Sequence, residues 1–213
     1  MWSCVGTLRV VTPINFDVFF DYLCPFVYRV AGMLDEVRSS GARQIEVRWR
    51  YFSLTQVNSK NDGWTLWNAP ASETVRGRLA FKAAEAARRQ GRFDDLHRRL
   101  LQARHSERMD LDDRTVIERV ASEAGLDLER FAGDLRAPDI LDAVARDHGE
   151  AVAEHGIFGT PTFLFADGAS AYVRLAGPVE NGGAVEVFDR LMSIAAGEPR
   201  ILEIKRPRRP SPT

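Results

Sequence analysis

The chain alternates between stretches with the period of a strand and stretches with the period of a helix. Residues 14–20 are almost wholly apolar, with Asp17 as their only charge, which predicts a buried strand. From Pro25 to Gly41 apolar residues recur every three or four positions, and the proline and glycine stand where a helix begins and ends. Apolar and charged residues alternate over 45–51, which predicts a second strand. A strand, a helix and a strand in this order predict a right-handed parallel unit.

A polar loop over residues 53–70 and a wholly helical block from Ser72 to about His155 follow this unit. We predict five helices in the block: one rich in alanine at 80–87, one with Phe93, Leu96 and Leu100 on a single face, one capped by Asp112, one capped by Asp127, and one that begins at Pro138 and ends at Gly156. No repeat period relates these helices to one another.

Strand signals return after the helical block. Residues 162–165 and 172–175 predict two short strands on either side of the hairpin turn sequence Asp167-Gly168. Apolar spacing from Val185 to Gly197 then predicts a closing helix.

This order of elements predicts one α/β domain that carries an insertion. Removing residues 71–155 leaves a compact unit made of 14–68 and 157–197, so we interpret the helical block as inserted into that unit. We expect helices on both faces of a central mixed sheet. Residues 198–213 are rich in proline and arginine, and we expect them to form a disordered tail rather than a nucleic-acid-binding arm.

Composition indicates a soluble protein and argues against nucleic acid and membranes as its main partners. The 213 residues carry a net charge of -1, which gives no reason to expect nucleic acid or an anionic membrane as a partner. No stretch has the length and apolarity to span a bilayer, and the first residues lack the pattern of a secretion signal. We therefore expect a cytoplasmic protein. Its two cysteines, Cys4 and Cys24, do not form a disulfide framework in that compartment.

Cys24 stands where the first strand gives way to the first helix. Unpaired N–H groups and the positive end of the helix dipole favour an anion there, so the thiolate at Cys24 is a candidate nucleophile. The alternative is that Cys24 is a small core residue, the commonest role of a free cysteine.

A second candidate motif is Gly156-Ile157-Phe158-Gly159-Thr160-Pro161-Thr162-Phe163. A proline directly before a short apolar strand is poorly suited to ladder bonding. A cis Thr160–Pro161 bond would leave the Thr160 backbone free to pair with an extended peptide or thiol ligand. A trans proline that simply begins the strand is the alternative.

Taken together, the strand followed by Cys24-Pro25-Phe26-Val27, the helical insertion with Ala124-Gly125-Leu126-Asp127, and the segment around Thr160-Pro161 resemble the DsbA-like thioredoxin superfamily. The resemblance covers roughly residues 14–197. It implies a thioredoxin fold, Cys24 as catalytic nucleophile, and a cis proline at Pro161 that faces it. The residues expected to bind substrate beside the thiol are Pro25, Phe26, Thr160 and Pro161.

Val27 departs from the pattern of the dithiol members of this superfamily. Those members carry a second cysteine three positions after the first, and valine cannot resolve a mixed disulfide. We therefore expect a monothiol oxidoreductase, whose partner is a thiol or disulfide substrate. Glutathione or another low-molecular-weight thiol is the expected co-substrate, with no bound cofactor. Cys4 could resolve the bond only if the N-terminal arm folded back across the site.

Two other functions stay open. Kappa-class glutathione transferases and 2-hydroxychromene-2-carboxylate isomerases share this topology and place a serine where this chain has Cys24. A thiol is a poor donor to the glutathione sulfur, which favours covalent exchange over isomerase chemistry. A binding protein that keeps the fold without turnover is the third hypothesis, and a homodimer is compatible with any of the three.

The remaining candidates have weaker signals. Trp64 and Trp67, with Asn68, are candidates for lining a substrate pocket, although loop aromatics are as often packing anchors. His97 and His105, like His148 and His155, are spaced two helical turns apart, too far for one ion, so we expect surface histidines and no metal site. Asp17 is a candidate for a buried proton acceptor or for a structural hydrogen-bonding role. Asp21 is closer to the thiol, and its alternative role is that of a helix-entry residue.

Overall fold

The computed structural model describes residues 13–179 and 182–206, and its centre is a four-stranded mixed sheet. The strands are β1 (Ile14–Phe20), β2 (Ile45–Tyr51), β3 (Thr162–Phe165) and β4 (Ser170–Tyr172), in the order β2-β1-β3-β4. β1 and β2 are parallel along their whole length, which confirms the predicted parallel unit. β3 is antiparallel to both β1 and β4.

The second strand of the predicted hairpin lies earlier in the chain than expected. The prediction was residues 172–175, whereas β4 is Ser170–Tyr172. The turn closes at once, because Phe165 N–H donates to Ala169 O at 2.9 Å. Pairing with the short β3 then ends with the 3.0 Å hydrogen bond from Val173 N–H to Pro161 O. The predicted boundary was wrong because this tight turn already places Ser170 opposite Leu164.

The described part of the chain contains eight helices. They are α1 (Pro25–Ser40), α2 (Leu54–Val57), α3 (Arg78–Arg89), α4 (Phe93–His105), α5 (Arg114–Glu123), α6 (Leu128–Asp134), α7 (Asp142–Ala153) and α8 (Ala184–Ala195). α1 ends as predicted, because Gly41 takes a left-handed conformation and its N–H bonds to Arg38 O. Residues 201–206 contain no helix or strand, and Cys4 and residues 207–213 lie outside the described residues.

Three local predictions between β2 and β3 were wrong. The loop after β2 contains the short α2, which Ser53 caps by accepting from Gln56 N–H. The N-cap of α5 is Asp113, not Asp112, whose carboxylate instead accepts from the distant Gly77 N–H at 2.8 Å. α7 begins at Asp142, four residues after Pro138, because residues 138–141 form turns instead.

The two faces of β1 belong to two apolar clusters, which confirms helices on both sides of the sheet. Phe16, Val18 and Phe20 enter the main core, which α1, α3, α4 and α8 complete. Phe19 points to the other face and packs in a smaller cluster with Ala151 of α7. The alternation follows from the two-residue period of a strand that is buried on both faces.

His97 and His148 are buried, so the expectation of surface histidines was wrong for both. His97 lies four residues after Phe93 and therefore on the same, core-facing side of α4. Its ring centroid is 4.4 Å from that of Trp49 and 4.7 Å from that of Phe20. Burial lowers the pKa of His97 to about 3, so its ring is neutral and acts as a packing element.

Candidate active site

Cys24 is the N-cap residue of α1. It lies four residues after the end of β1, a strand with one face buried in the main core. The turn after β1 is fixed by a 3.1 Å hydrogen bond from Cys24 N–H to Asp21 O. Pro25 occupies the first turn of α1, where an N–H would have no helical partner, and Cys24 O accepts from Val27 N–H at 3.1 Å. The sequence therefore holds the thiol at the beginning of a helix, as predicted.

The thiol meets the second motif across a separation of 136 residues. Cys24 Sγ donates to the main-chain oxygen of Thr160 at 3.2 Å, and the Thr160–Pro161 peptide bond is cis. Cys24 is 4 % exposed and Thr160 is 2 % exposed. Three of the predicted site residues, Cys24, Thr160 and Pro161, thus come together at one end of the sheet.

Phe26 extends the site toward solvent and carries two arginines that the sequence reasoning missed. The guanidinium carbon of Arg29 lies 5.3 Å from the centroid of the Phe26 ring, and that of Arg174 lies 4.1 Å from it. Arg29 could have been found, because it follows Phe26 by three residues on one helix face. Arg174 follows β4 and has no local sequence signal that connects it with Phe26.

Asp21 is buried beside the thiol turn and holds two backbone segments. Its carboxylate accepts from Leu23 N–H at 2.8 Å and from Leu54 N–H, the first residue of α2, at 2.6 Å. Burial raises the pKa of Asp21 to about 6, although both hydrogen bonds oppose the rise. Asp21 thus joins the end of β1 to the beginning of α2.

Asp17 has a structural role among arginines. Arg48 pairs with both of its carboxylate oxygens, and Arg50 Nη1 lies 3.6 Å from Oδ2. Arg50 continues the network to Asp147 at 3.1 Å and Glu150 at 2.6 Å, both on α7. These ion pairs fasten α7 to the sheet face opposite the main core, so the proton-acceptor hypothesis for Asp17 has no support in the structure.

The tryptophans of the loop after β2 are half-buried against the main core. Trp64 O accepts from Gln56 Nε2 at 3.2 Å, and the Trp67 ring lies 5.6 Å from the ring of His148. His148 Nδ1 accepts from Ser53 N–H at 3.2 Å, and burial lowers the pKa of His148 to about 4. These contacts give both tryptophans a packing role, and their part in substrate binding stays a prediction.

One group of possible metal ligands lies near the end of α7 in the described part of the chain. Oxygen and nitrogen atoms of Glu150, Glu154 and His155 lie within 4.8 Å of one another. Glu150 is already bound by both terminal nitrogens of Arg50, which holds its pKa down at about 2. Ion pairing therefore accounts for Glu150, whose carboxylate also lies 3.5 Å from His155 Nε2.

A thiol at the start of the first helix, bonded to the residue before a cis proline that directly precedes β3, defines a protein of thioredoxin type. The chain belongs to the DSBA-like thioredoxin domain family, whose sequence model matches residues 15–178. It is 28 % identical over 200 residues to protein Rv2286c of Mycobacterium tuberculosis, covering 92 % of this chain and 83 % of that protein. It is also 30 % identical over 154 residues to the Na(+)/H(+) antiporter NhaA 1 of Mycobacterium sp. (strain KMS). That match covers 71 % of this chain but only 22 % of the antiporter.

Solved structures agree with this fold. A thioredoxin-like oxidoreductase from Silicibacter pomeroyi DSS-3 superposes with a TM-score of 0.52 at 24 % identity, covering 87 % of this chain and 90 % of that one. A 2-hydroxychromene-2-carboxylate isomerase superposes with a TM-score of 0.60 at 14 % identity, covering 90 % and 100 %. No helix among the described residues is long and apolar enough to cross a membrane. This fold is therefore shared with both an oxidoreductase and an isomerase.

Proposed function

We propose that the chain catalyses thiol–disulfide exchange with Cys24 as its single nucleophile. The observation that carries the proposal is the placement of the Cys24 sulfur, at the N-cap of α1 and 3.2 Å from Thr160 O. The 4 % exposure of Cys24 limits what can reach the sulfur, which favours small disulfides and extended segments over folded protein surfaces. The predicted substrate contacts of Pro25, Phe26, Thr160 and Pro161 are part of the proposal.

The reaction needs an outside thiol to complete it. Cys24 gives up its proton to solvent, and its sulfur forms a bond with one sulfur of a disulfide while the other sulfur leaves as a thiolate. A second thiolate, from glutathione or another low-molecular-weight thiol, then attacks the mixed disulfide and releases Cys24. The attack falls on the sulfur that came from the substrate, so the outside thiol and that substrate half form a new disulfide while Cys24 leaves as a thiolate. A second molecule of the outside thiol then attacks this disulfide and releases the substrate half as a thiol. Two outside thiols thus supply the two electrons and end as their own disulfide, and the protein ends each cycle unchanged. We assign this chemistry to the reducing cytoplasm, where such thiols are abundant.

Val27 is the residue that makes the proposed cycle a monothiol one. It is fully buried in the first turn of α1, at the position of the second cysteine in dithiol members of the family. Substituting Val27→Cys places a second thiol there, and we expect the variant to expel a bound glutathione at least about tenfold faster than wild type. A neighbouring thiol acts at high effective concentration, which is the physical reason. The measurement is glutathione release from the adduct in the absence of external thiol, and equal rates would contradict the geometry.

Turnover tests the proposed function directly. With bis(2-hydroxyethyl) disulfide as substrate and glutathione in excess, we expect the wild type to accelerate reduction and Cys24→Ser to abolish that acceleration. Val27→Ala is a matched control, because it leaves the thiol and introduces no second one. Reduction that survives Cys24→Ser would contradict the mechanism.

A glutathione-dependent isomerase or transferase is the second candidate. The specific observation in its favour is Val27, since an enzyme that holds glutathione without covalent exchange has no use for a second cysteine. It would bind glutathione reversibly, and Cys24→Ser would retain both binding and turnover. Isothermal titration of Cys24→Ser with reduced glutathione, together with turnover of an isomerase substrate, separates the two candidates. Binding without any turnover would indicate the non-catalytic alternative.

A further inference from the structure

We infer that Arg174, stacked on Phe26 beside Cys24, makes the site selective for thiols and disulfides that carry a carboxylate near the sulfur. The inference rests on the proposed thiol exchange and names the substrate class that the exchange favours. Arg174 is a specificity-determining residue in this reading, and it takes no part in the chemical step.

The Arg174 guanidinium is held over an aromatic ring that follows the thiol closely in the chain. Its central carbon lies 4.1 Å from the centroid of Phe26, and Phe26 is two residues after Cys24. Stacking on a ring restrains a side chain that would otherwise move freely, and leaves the N–H groups at the guanidinium edge available to an acceptor. Arg174 is itself exposed, so a substrate can reach it from solvent.

The backbone before Arg174 connects it to the other side of the thiol. Val173 N–H donates to Pro161 O at 3.0 Å. Thr160, the residue before Pro161, accepts a hydrogen bond from Cys24 Sγ through its main-chain oxygen. Arg174 is therefore next in the chain to a residue bonded to the proline motif, while its side chain covers the helix side of the site. The segment around Arg174 is thus attached both to the proline motif and to Phe26.

Arg29 fixes the segment that carries Arg174 and adds a second positive charge. Its Nη1 donates to Leu175 O at 2.8 Å and to Ala176 O at 3.0 Å. Both acceptors are neutral, so the charge of Arg29 is not cancelled by these bonds. Its guanidinium carbon lies 5.3 Å from the centroid of the same Phe26 ring. Two guanidinium groups thus contact one aromatic ring beside the thiol.

Among the described residues no carboxylate lies within 4.0 Å of Arg29 or Arg174. Elsewhere in the molecule arginines such as Arg43 and Arg50 form close pairs with aspartate or glutamate. A planar guanidinium edge suits a carboxylate, which it binds with two parallel hydrogen bonds. A disulfide whose halves carry carboxylates would therefore be oriented with one anionic group on Arg174 and a sulfur toward Cys24.

The test compares three small disulfides of similar size and different charge. These are 3,3′-dithiodipropionate (anionic), bis(2-hydroxyethyl) disulfide (neutral) and cystamine (cationic). The measurement is the rate at which each forms a mixed disulfide on Cys24, divided by its rate with free 2-mercaptoethanol to remove intrinsic reactivity. We expect the normalised rates to fall in the order anionic, neutral, cationic.

Substitutions then assign the preference to Arg174. We expect Arg174→Gln to reduce the anionic-to-neutral ratio about threefold to fivefold. We expect Arg174→Lys to keep only part of it, because lysine retains the charge but loses the planar pair of N–H donors. Salt at 1 M should remove most of the preference in the wild type. Arg190→Gln is the matched control. Asp189, the residue before Arg190, pairs with Arg43, which follows the C-terminal end of α1. Cys24 lies at the other end of this 16-residue helix, about 24 Å away.

The outcomes separate this inference from the proposed function. Reaction of Cys24 with the neutral disulfide but equal normalised rates for all three would overturn the inference and leave thiol exchange intact. A preference that Arg174→Gln leaves unchanged would also overturn it. If no disulfide reacts with Cys24, the proposed function itself is wrong.

Discussion

At the scale of single residues, two buried carboxylates on or just after β1 show how partners decide the role of an acid. Asp17 faces the guanidinium groups of Arg48 and Arg50, and its charge is balanced within an ion-pair network. Asp21 has two backbone N–H donors and is 1 % exposed, and burial outweighs those bonds so that its pKa rises to about 6. Asp21 therefore changes charge in a range where most aspartates are already ionised.

The raised pKa of Asp21 makes stability depend on pH in a defined direction. The folded value of about 6 lies above the ordinary value of 3.8, so the folded state favours the protonated acid. The contribution of Asp21 to stability is fully present below about pH 4 and is lost as the pH rises through about 6. The quantity to compare is the free energy of unfolding of wild type minus that of Asp21→Asn. We expect this difference to fall by on the order of 2–3 kcal/mol between pH 4 and pH 7. Urea unfolding at several pH values measures this difference, and a constant difference would contradict the assignment.

Thr160 and Thr162 flank Pro161 and form a matched pair for a second prediction. Thr162 Oγ1 donates to Gly159 O at 2.8 Å, whereas the buried Thr160 Oγ1 has no hydrogen-bond partner among the described residues. We expect Thr162→Val to lower the free energy of unfolding by about 1–3 kcal/mol. We expect Thr160→Val to leave it unchanged or raise it by up to about 1 kcal/mol, because no bond is lost.

Urea unfolding of both threonine variants checks this expectation. The main-chain oxygen that accepts from Cys24 remains in Thr160→Val, so the rate of adduct formation at Cys24 should stay close to that of wild type. A loss of stability in Thr160→Val as large as that in Thr162→Val would show that its hydroxyl has a partner.

At the scale of elements, the sequence predicted best where the determinants are local. The apolar run of β1, Pro25 in the first turn of α1 and Gly41 after its end act through neighbouring backbone, and all three predictions are confirmed. Asp112 and Asp113 show the limit. Aspartate is a favourable helix N-cap at either position, but the Asp112 carboxylate accepts a hydrogen bond from Gly77 N–H. No local sequence pattern predicts that contact. The burial of His97 is likewise decided by the aromatic residues that meet it from β1 and β2.

The ion pairs between β2 and α7 give a prediction at this scale. Arg50 is 6 % exposed and pairs with the buried Asp147, whereas the side chain of Arg48 is 69 % exposed. We expect Arg50→Ala to lower the free energy of unfolding by about 3 kcal/mol, because the buried Asp147 loses its closest cation and, among the described residues, keeps only Tyr51 N–H at 3.2 Å and Arg146 at 3.5 Å. We expect Arg48→Ala to lower it by less, about 1 kcal/mol, because the guanidinium of Arg48 is largely exposed and Arg50 remains 3.6 Å from Asp17. Urea unfolding of the two variants checks this, and equal losses would contradict the role given to burial.

At the scale of the whole molecule, the candidate site is assembled from segments that are far apart in the chain. Cys24 and the Thr160-Pro161 motif were predicted to meet because the resemblance to a known family supplied the topology, and the structure brings them together. Arg174 was missed, because its position depends on where β4 ends and on the bonds of Arg29 to the following residues. Local sequence patterns contain neither fact. The site could be predicted as far as its family motifs extend.

The site contains Cys24 and no second cysteine in α1, so a single thiol carries out the proposed reaction. Val27 fills the place of a second cysteine, so a mixed disulfide on Cys24 has no neighbouring thiol in α1 to displace it. A stable adduct on a single residue is the direct consequence, and it is visible without knowledge of the physiological substrate.

The most direct test is the intact mass of the protein after incubation with glutathione disulfide and removal of the reagent. We expect one glutathionyl group per chain, located on Cys24 by peptide mapping, that persists until an external thiol is added. The Cys4→Ser variant should behave in the same way. An unmodified chain, an adduct on Cys4 alone, or an adduct that leaves without added thiol as a Cys4–Cys24 disulfide forms would contradict the monothiol mechanism.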